Sequence, residues 1–167
     1  MNDRDPEGVH LHNALWSAPF AGWNGTPMLW WWDNYIEPQD LYGRYQGLSR
    51  FLKGVDWSEP WVPARAESAR LRLLTLSTGH RTLLWLQDRR GTWFERLVRG
   101  TTPARLSGGS ITLRGLKPGR YTVRWFNTWK GSWEAPGQVT VQGDKTRLSV
   151  PPWQFDIAAR IDPITLP

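Results

Sequence analysis

Six segments in the last hundred residues of this 167-residue chain alternate apolar and polar side chains with a period of two. This alternation puts apolar groups on one face of a β-strand and polar groups on the other, and it does not fit a helix. Turn signals containing glycine or proline separate the segments, as expected for short antiparallel strands in a sandwich. The segments are residues 70–76, 82–86, 110–113, 121–126, 138–141 and 146–150. The sequence therefore predicts a mainly β fold here.

The turn before Tyr121 indicates the type of sandwich. Pro118 and Gly119 form a tight-turn signal, and Tyr121 follows at the start of an alternating segment. A tyrosine in this place is typical of the tyrosine corner of immunoglobulin-like folds. We therefore expect an antiparallel, immunoglobulin-like β-sandwich.

The first 60 residues have a different pattern, with two helices. Residues 9–18 carry apolar side chains at helical spacing and meet Pro19, which fits a helix ending near that proline. A second apolar stripe runs from residue 41 to residue 55, with Asp40 as its predicted N-cap and Gly54 as its predicted end.

Between these helices, residues 28–32 form a short, wholly apolar run bounded by Pro27 and Asp33. Such a run is typical of a strand buried on both faces, as in a parallel sheet. We therefore predict a helix-strand-helix segment over residues 1–58 and a β-sandwich domain over residues 59–167.

The charge changes at nearly the same place. Residues 1–60 hold 4 Lys/Arg and 8 Asp/Glu, whereas residues 61–167 hold 17 and 7. Arg70 and Arg72 alternate with leucines, as expected for the solvated face of a sheet, and no nucleic-acid-binding motif accompanies them. We expect no specific nucleic-acid partner, and non-specific polyanion binding is left open as an alternative.

Composition excludes several kinds of site. The chain has no Cys and three His, so we expect no disulfide, no metal site and no cofactor. No apolar run has the roughly 18 residues of a membrane-spanning helix, and the first residues lack the pattern of a signal peptide. We therefore expect no membrane partner.

The 13 Trp outnumber the 4 Tyr and 5 Phe together and require either a dense core or a ring-stacking site.

Two blocks of sequence resemble parts of a known family. His12 and Trp16, then the Trp-Trp-Trp-Asp-Asn-Tyr block of residues 30–35, then the helix of residues 41–52, resemble the end of a clan-A-like glycoside hydrolase barrel. Residues 116–131 are similar to the β-sandwich that follows such barrels. The resemblance implies that residues 1–58 are a remnant of a (β/α)8 barrel, and it suggests a secreted or periplasmic protein. A complete barrel needs about 250 residues, so this chain of 167 residues is too short to form one.

The resemblance also bears on activity. The general acid and the nucleophile of the family are glutamates of earlier barrel strands, and no residue of this sequence matches them, so we assign no catalytic residue and leave enzyme activity uncertain. The resemblance implies that this chain is a non-catalytic C-terminal part that completes or stabilises a polysaccharide-degrading barrel. Its partners would be an upstream barrel chain or a second copy. An independent carbohydrate-binding sandwich is the alternative.

Candidate substrate-binding residues lie at the end of the predicted strand and in the first predicted helix. Trp32, Asp33, Asn34 and Tyr35 lie at its C-terminal end, where barrel enzymes place functional groups. The Trp32 indole could stack on a sugar ring or fill the core. His10 and His12 could bond a sugar hydroxyl or lie at a helix start or interface.

Two further tryptophans are candidates in the sandwich. Trp129 and Trp133 flank the turn at Lys130 and Gly131. They could form a carbohydrate platform or the surface that docks the barrel. We favour docking, because interfaces are enriched in Trp.

Overall fold

The computed structural model describes residues 4–23, 25–67 and 70–164. These ranges are mainly β, with antiparallel sheets, two α-helices and short helical turns. The helices are α1 (Val9–Phe20) and α2 (Tyr42–Leu52), and single turns of π-helix form at Trp32–Ile36 and Phe94–Val98. The strands are β1 (Val62–Glu67), β2 (Leu71–Ser77), β3 (Thr82–Asp88), β4 (Gly109–Arg114), β5 (Gly119–Asn127), β6 (Ser132–Trp133), β7 (Gly137–Val141), β8 (Lys145–Val150) and β9 (Asp156–Pro163).

The strands form a large sheet and a small one. The large sheet has the order β1-β2-β3-β9-β5-β6, and β7 pairs with the other end of β5. The small sheet consists of β4 and β8. The described pairings are antiparallel, and Trp85 of β3 lies opposite Ala158 of β9 in the register. The last strand, β9, therefore lies near the middle of the large sheet.

One face of the large sheet packs on the small sheet and forms the sandwich core. Every second side chain of the strands points into this layer, as the alternation predicts. The large sheet contributes Leu73, Leu84, Leu86, Tyr121, Val123, Trp125, Ile157 and Ile161, and the small sheet contributes Leu113, Leu148 and Val150. The structure is thus consistent with the predicted β-sandwich.

The other face of the large sheet packs on the first segment and forms a helix-sheet core. Leu76, Leu83, Trp85, Phe126 and Ala158 of the sheet meet apolar side chains of the two helices and of the turn at Trp32–Ile36. The helical side contributes Leu11, Leu15, Trp16, Phe20, Tyr35, Ile36, Leu48 and Phe51. Because layers cover both faces, β3 is buried along its whole length.

The predicted strand over residues 28–32 is wrong. Met28 and Trp30 are 88% and 87% exposed, the chain there is irregular, and a turn of π-helix begins at Trp32. A strand buried on both faces needs neighbouring strands for its backbone N–H and C=O groups. None of the described strands pairs with this run.

The predicted N-cap of the second helix is also wrong. Asp40 has a φ of 48°, and Leu41 occupies the N-cap position without a side-chain cap. The predicted end is confirmed, because α2 stops at Leu52 and Gly54 follows with a φ of 76°. The first predicted helix is confirmed as α1.

The six predicted strands are all present, as β2, β3, β4, β5, β7 and β8. The hydroxyl of Tyr121 donates a hydrogen bond to the carbonyl oxygen of Lys117 at 2.8 Å, which is the bond of a tyrosine corner. The finer assignments, an immunoglobulin-like sandwich and a barrel remnant, stay predictions. None of the described helices has the length and apolar character needed to cross a membrane.

Candidate functional site

The start of α1 is built around a buried carboxylate. Asp5 is fully buried and accepts hydrogen bonds from the backbone N–H groups of Val9, at 2.7 Å, and His10, at 2.8 Å. An acidic group at this position satisfies free N–H groups and interacts favourably with the helix dipole. Gly8 enters the helix with a φ of 68° and lies so close to Leu41 that a Cβ would clash. The two features set the direction of α1.

Tyr35 belongs to the same network. Its hydroxyl donates to Oδ2 of Asp5 at 2.5 Å, and its ring lies in the helix-sheet core. Burial, together with the hydrogen bond and the charge of Asp5, raises the pKa of the phenol well above its usual range. Tyr35 was expected at a sugar-binding mouth, and the structure places it fully buried, where it ties the turn at Trp32–Ile36 to α1.

A second buried carboxylate, Asp156, begins β9. It accepts hydrogen bonds from Nε2 of His12 at 2.9 Å, from Nε1 of Trp85 at 3.0 Å and from Nε1 of Trp129 at 2.9 Å. Burial would raise the pKa of Asp156, but the interaction with His12 and hydrogen bonds from His12, Thr128 and Trp85 outweigh it and lower the pKa. Asp156 therefore remains charged inside the protein because donors surround it.

The His12 ring continues this network into a stack of planar groups. Trp129 stacks on it, with ring centres 4.2 Å apart and planes at 24°. The guanidinium groups of Arg44 and Arg96 lie 4.3 Å and 5.3 Å from the centre of the Trp129 indole. His12 is fully buried, so it lies in the interface between α1 and the large sheet.

Trp133 also contacts the helical layer. Its indole stacks on Phe51 of α2 at 5.8 Å and meets Phe126 edge-on at 4.8 Å. The guanidinium of Arg124 lies 4.9 Å from its ring centre. Trp129 and Trp133, the two candidates for a platform or a docking surface, thus both pack on residues of the first segment.

The tryptophans of the predicted strand are exposed instead of buried. We call residues 23 and 25–32 the tryptophan loop. Its large apolar side chains that face solvent are Trp23, Met28, Trp30, Trp31 and Trp32. Asp33 and Asn34, which follow the loop, are exposed as well. Three of the predicted site residues, Trp32, Asp33 and Asn34, therefore lie together on the surface, apart from the buried Tyr35 and His12.

His10 lines a cleft of about 390 Å³ between α1, strands β2 and β3, and the turn at Phe94–Val98. The cleft lining includes Asn13 and Ser17 of α1, and Gln87 and Trp93 from the sheet side. The His10 ring meets the Trp93 indole nearly at a right angle, with centres 5.6 Å apart, and lies 6.3 Å from the Trp31 ring. The structure thus separates His10 from His12.

Sequence reasoning missed Asn13, Trp93 and Gln87. A signal for the first was present, because His10, Asn13 and Ser17 share the three- and four-residue spacing of one helix face. Trp93 and Gln87 carried no comparable signal, because their positions depend on how the sheet packs on α1.

Among the described residues, no group of three His, Asp or Glu side chains could hold a metal ion. No protein-family model and no curated protein matches the sequence. Among solved structures, the chain is similar to a monomeric β-xylosidase from Caulobacter crescentus CB15, with a TM-score of 0.34 and 14% sequence identity. The match covers 60% of this chain and 29% of that chain, so this chain corresponds to less than a third of the xylosidase's length.

Proposed function

We propose that this chain is the non-catalytic C-terminal part of a glycoside-hydrolase-like protein. In this proposal, the first segment completes a (β/α)8 barrel, and the sandwich stabilises it. The observation that carries the proposal is the tryptophan loop, where Trp23, Met28, Trp30, Trp31 and Trp32 expose large apolar side chains.

The exposure of this loop is energetically unfavourable. Soluble monomers rarely expose large contiguous apolar patches, and such patches commonly mark sites of association. Burying a single side chain of the size of Met28 stabilises a protein by about 1.5–3 kcal/mol. An occupant that covered several of these groups would therefore gain considerable free energy.

The sequence of the loop indicates what the occupant is. Residues 28–32 have the pattern of a strand buried on both faces, and they resemble the last strand of the barrel. In a strand, Trp31 would face one side, and Trp30 and Trp32 the other. Neighbouring barrel strands would bond the backbone of this run and cover both of its faces. We therefore commit to an upstream barrel as the partner.

The first segment is firmly attached to the sandwich, which supports a stabilising role. Nη1 of Arg160, in β9, donates to the carbonyl oxygen of Lys53 at 2.8 Å, directly after α2. Arg96 contributes a 2.7 Å ion pair to Glu7, directly before α1. A barrel that included the tryptophan loop would be held against the sandwich through these contacts.

Charge pairing favours this role over polyanion binding. Several arginines are paired with carboxylates within the chain, including Arg81 with Glu59 at 2.8 Å and Arg114 with Asp144 at 3.0 Å. These pairs neutralise part of the basic charge of the sandwich.

The proposal can be tested with a clan-A-like glycoside hydrolase barrel truncated before its last strand and helix. We expect the two chains to elute together in size-exclusion chromatography and the melting temperature of the barrel to rise. Trp30→Ser should weaken the complex at least tenfold, whereas Val98→Ser, at another exposed apolar residue, should not. Failure to associate would contradict the docking role. Hydrolysis of an aryl glycoside by the isolated chain, abolished in Asp33→Asn, would contradict the non-catalytic role.

A further inference from the structure

We propose that the cleft between α1 and the turn at Phe94–Val98 binds a pyranose ring of an oligosaccharide, with Trp93 as the stacking surface. This site goes beyond the proposed function, because it does not require a barrel. Its lining residues are not those of the tryptophan loop, although the Trp31 ring of that loop lies 6.3 Å from the ring of His10.

The aromatic wall of the cleft is held in place before any ligand binds. Oδ1 of Asn13 accepts the backbone N–H of Trp93 at 2.8 Å, which fastens the turn to α1. The Trp93 indole stands perpendicular to Phe94, with ring centres 5.8 Å apart, and edge-on to His10. Trp93 is 39% exposed. Its indole therefore combines a fixed orientation with accessible surface.

The turn that carries Trp93 is itself braced. Nη1 of Arg99 pairs with Oε1 of Glu95 at 2.7 Å, and the N–H of Thr101 donates to the Glu95 carbonyl oxygen at 2.8 Å. A rigid stacking surface loses little conformational entropy when a ligand binds.

The floor of the cleft supplies hydrogen-bonding groups. Gln87 is buried and accepts a bond from Nη1 of Arg72 at 3.3 Å, and both residues line the cleft with Ser17 and Thr92. Asn13 is only 9% exposed, and its Nδ2 has no hydrogen-bond partner in the described chain. A buried donor without a partner destabilises the protein, and a ligand hydroxyl that accepted its hydrogen bond would remove this cost.

These features match the chemistry of a sugar. A pyranose has an apolar face that an indole covers and a rim of hydroxyls that donate and accept hydrogen bonds. The volume of about 390 Å³ lies in the range of small-molecule sites. The lining residues in the described part of the chain include no carboxylate. Because glycoside hydrolysis normally uses two carboxyl groups, the cleft has the chemistry of binding and not of cleavage.

The test is a titration of the full chain, in the absence of any barrel, with xylohexaose, cellohexaose and maltohexaose. Calorimetry and tryptophan fluorescence measure the binding. We expect at least one of the three sugars to bind with a Kd below about 1 mM. Trp93→Ala should weaken that binding at least tenfold. Trp23→Ala, which removes an exposed indole outside the cleft, should leave the Kd within twofold.

Asn13 provides a second check, because its Oδ1 holds Trp93 and its Nδ2 faces the ligand. Asn13→Ala removes both groups and should weaken binding most, whereas Asn13→Asp retains only the acceptor that holds Trp93 and should weaken binding less than Asn13→Ala does. Binding of none of the three sugars would overturn the proposal. So would binding of an eight-nucleotide poly-dT strand in their place, since bases also stack on indoles. These outcomes are independent of whether the chain associates with a barrel.

Discussion

His12 of α1 donates from Nε2 to the carboxylate of Asp156, a residue 144 positions later, at 2.9 Å, and both side chains are completely buried. This bond joins the helical layer to a central strand of the large sheet. Because the indole N–H groups of Trp85 and Trp129 donate to the same carboxylate, Asp156 organises the interface between the two layers.

The first prediction concerns this carboxylate. Asp156→Asn removes the buried charge and leaves His12 and two indoles competing for one amide oxygen. We expect the free energy of unfolding to fall by about 3–5 kcal/mol, as when one partner of a buried pair is removed. Chemical denaturation measures this change. Asp144→Asn, at an exposed ion pair, is the matched control and should change stability little. Equal effects of the two substitutions would contradict the role of Asp156.

The pH dependence of stability follows from the lowered pKa of Asp156. A carboxyl group with a lower pKa in the folded state stabilises the fold above its unfolded pKa of about 3.9, and this contribution is lost as the pH falls through the folded pKa. Asp88, whose pKa is also lowered, contributes in the same window. Unfolding should therefore become easier below about pH 4. In Asp156→Asn, the acid-induced loss measured by circular dichroism should be smaller, and an unchanged acid slope would count against this assignment.

For Tyr35, the predicted loss of stability occurs at high pH instead of low pH. Its pKa is raised in the folded protein, so its contribution to stability is present below its unfolded pKa of about 10 and is lost as the pH rises above that value. Tyr35→Phe removes this loss. It also removes a hydrogen bond to the buried Asp5 carboxylate, so stability at pH 7 should fall by about 1.5–3 kcal/mol. Denaturation at pH 7 and at pH 11 tests both effects. Tyr42→Phe, which removes a hydrogen bond to Glu37 at an exposed tyrosine, is the control for the loss of stability at pH 7.

Two tryptophans that a sequence cannot distinguish should behave differently. Trp16 is fully buried between Phe51 and Phe126, so Trp16→Ala should cost about 3–5 kcal/mol. Trp30 is 87% exposed, so Trp30→Ser should change stability by less than about 0.5 kcal/mol. The same substitution should reduce binding of a hydrophobic dye, because it removes part of the apolar tryptophan loop. Thermal unfolding of the two variants side by side measures the difference.

Local patterns predicted the regular elements well where one face of a strand meets solvent or a thin layer. The alternation in residues 146–150 predicted β8, whose side chains alternate between exposed and buried. The strand β3 was predicted although layers cover both of its faces, whereas β9, which lies between β3 and β5, was missed because its sequence does not alternate. The apolar run at residues 28–32 was wrongly predicted to be a strand, because such a run becomes a strand only when other strands pair with it.

The candidate site was predicted only in part for a related reason. The sequence identified His10 and His12 as a pair of polar groups. Residues two apart on a helix point in different directions, and only the packing of α1 on the sheet decides which one is buried. The structure directs His12 to Asp156 and His10 to the cleft beside Trp93.

By itself, the sequence determined the two helices, six of the strands and the tight turn that places Tyr121, because propensity, periodicity and turn chemistry act over a few neighbouring residues. Only the tertiary structure decided that Asp156 meets His12, that Asn13 fastens Trp93, and that the tryptophan loop has no cover in the described chain. These relationships join residues far apart in sequence. They depend on which faces of sheets and helices bury each other, and no local pattern records that choice.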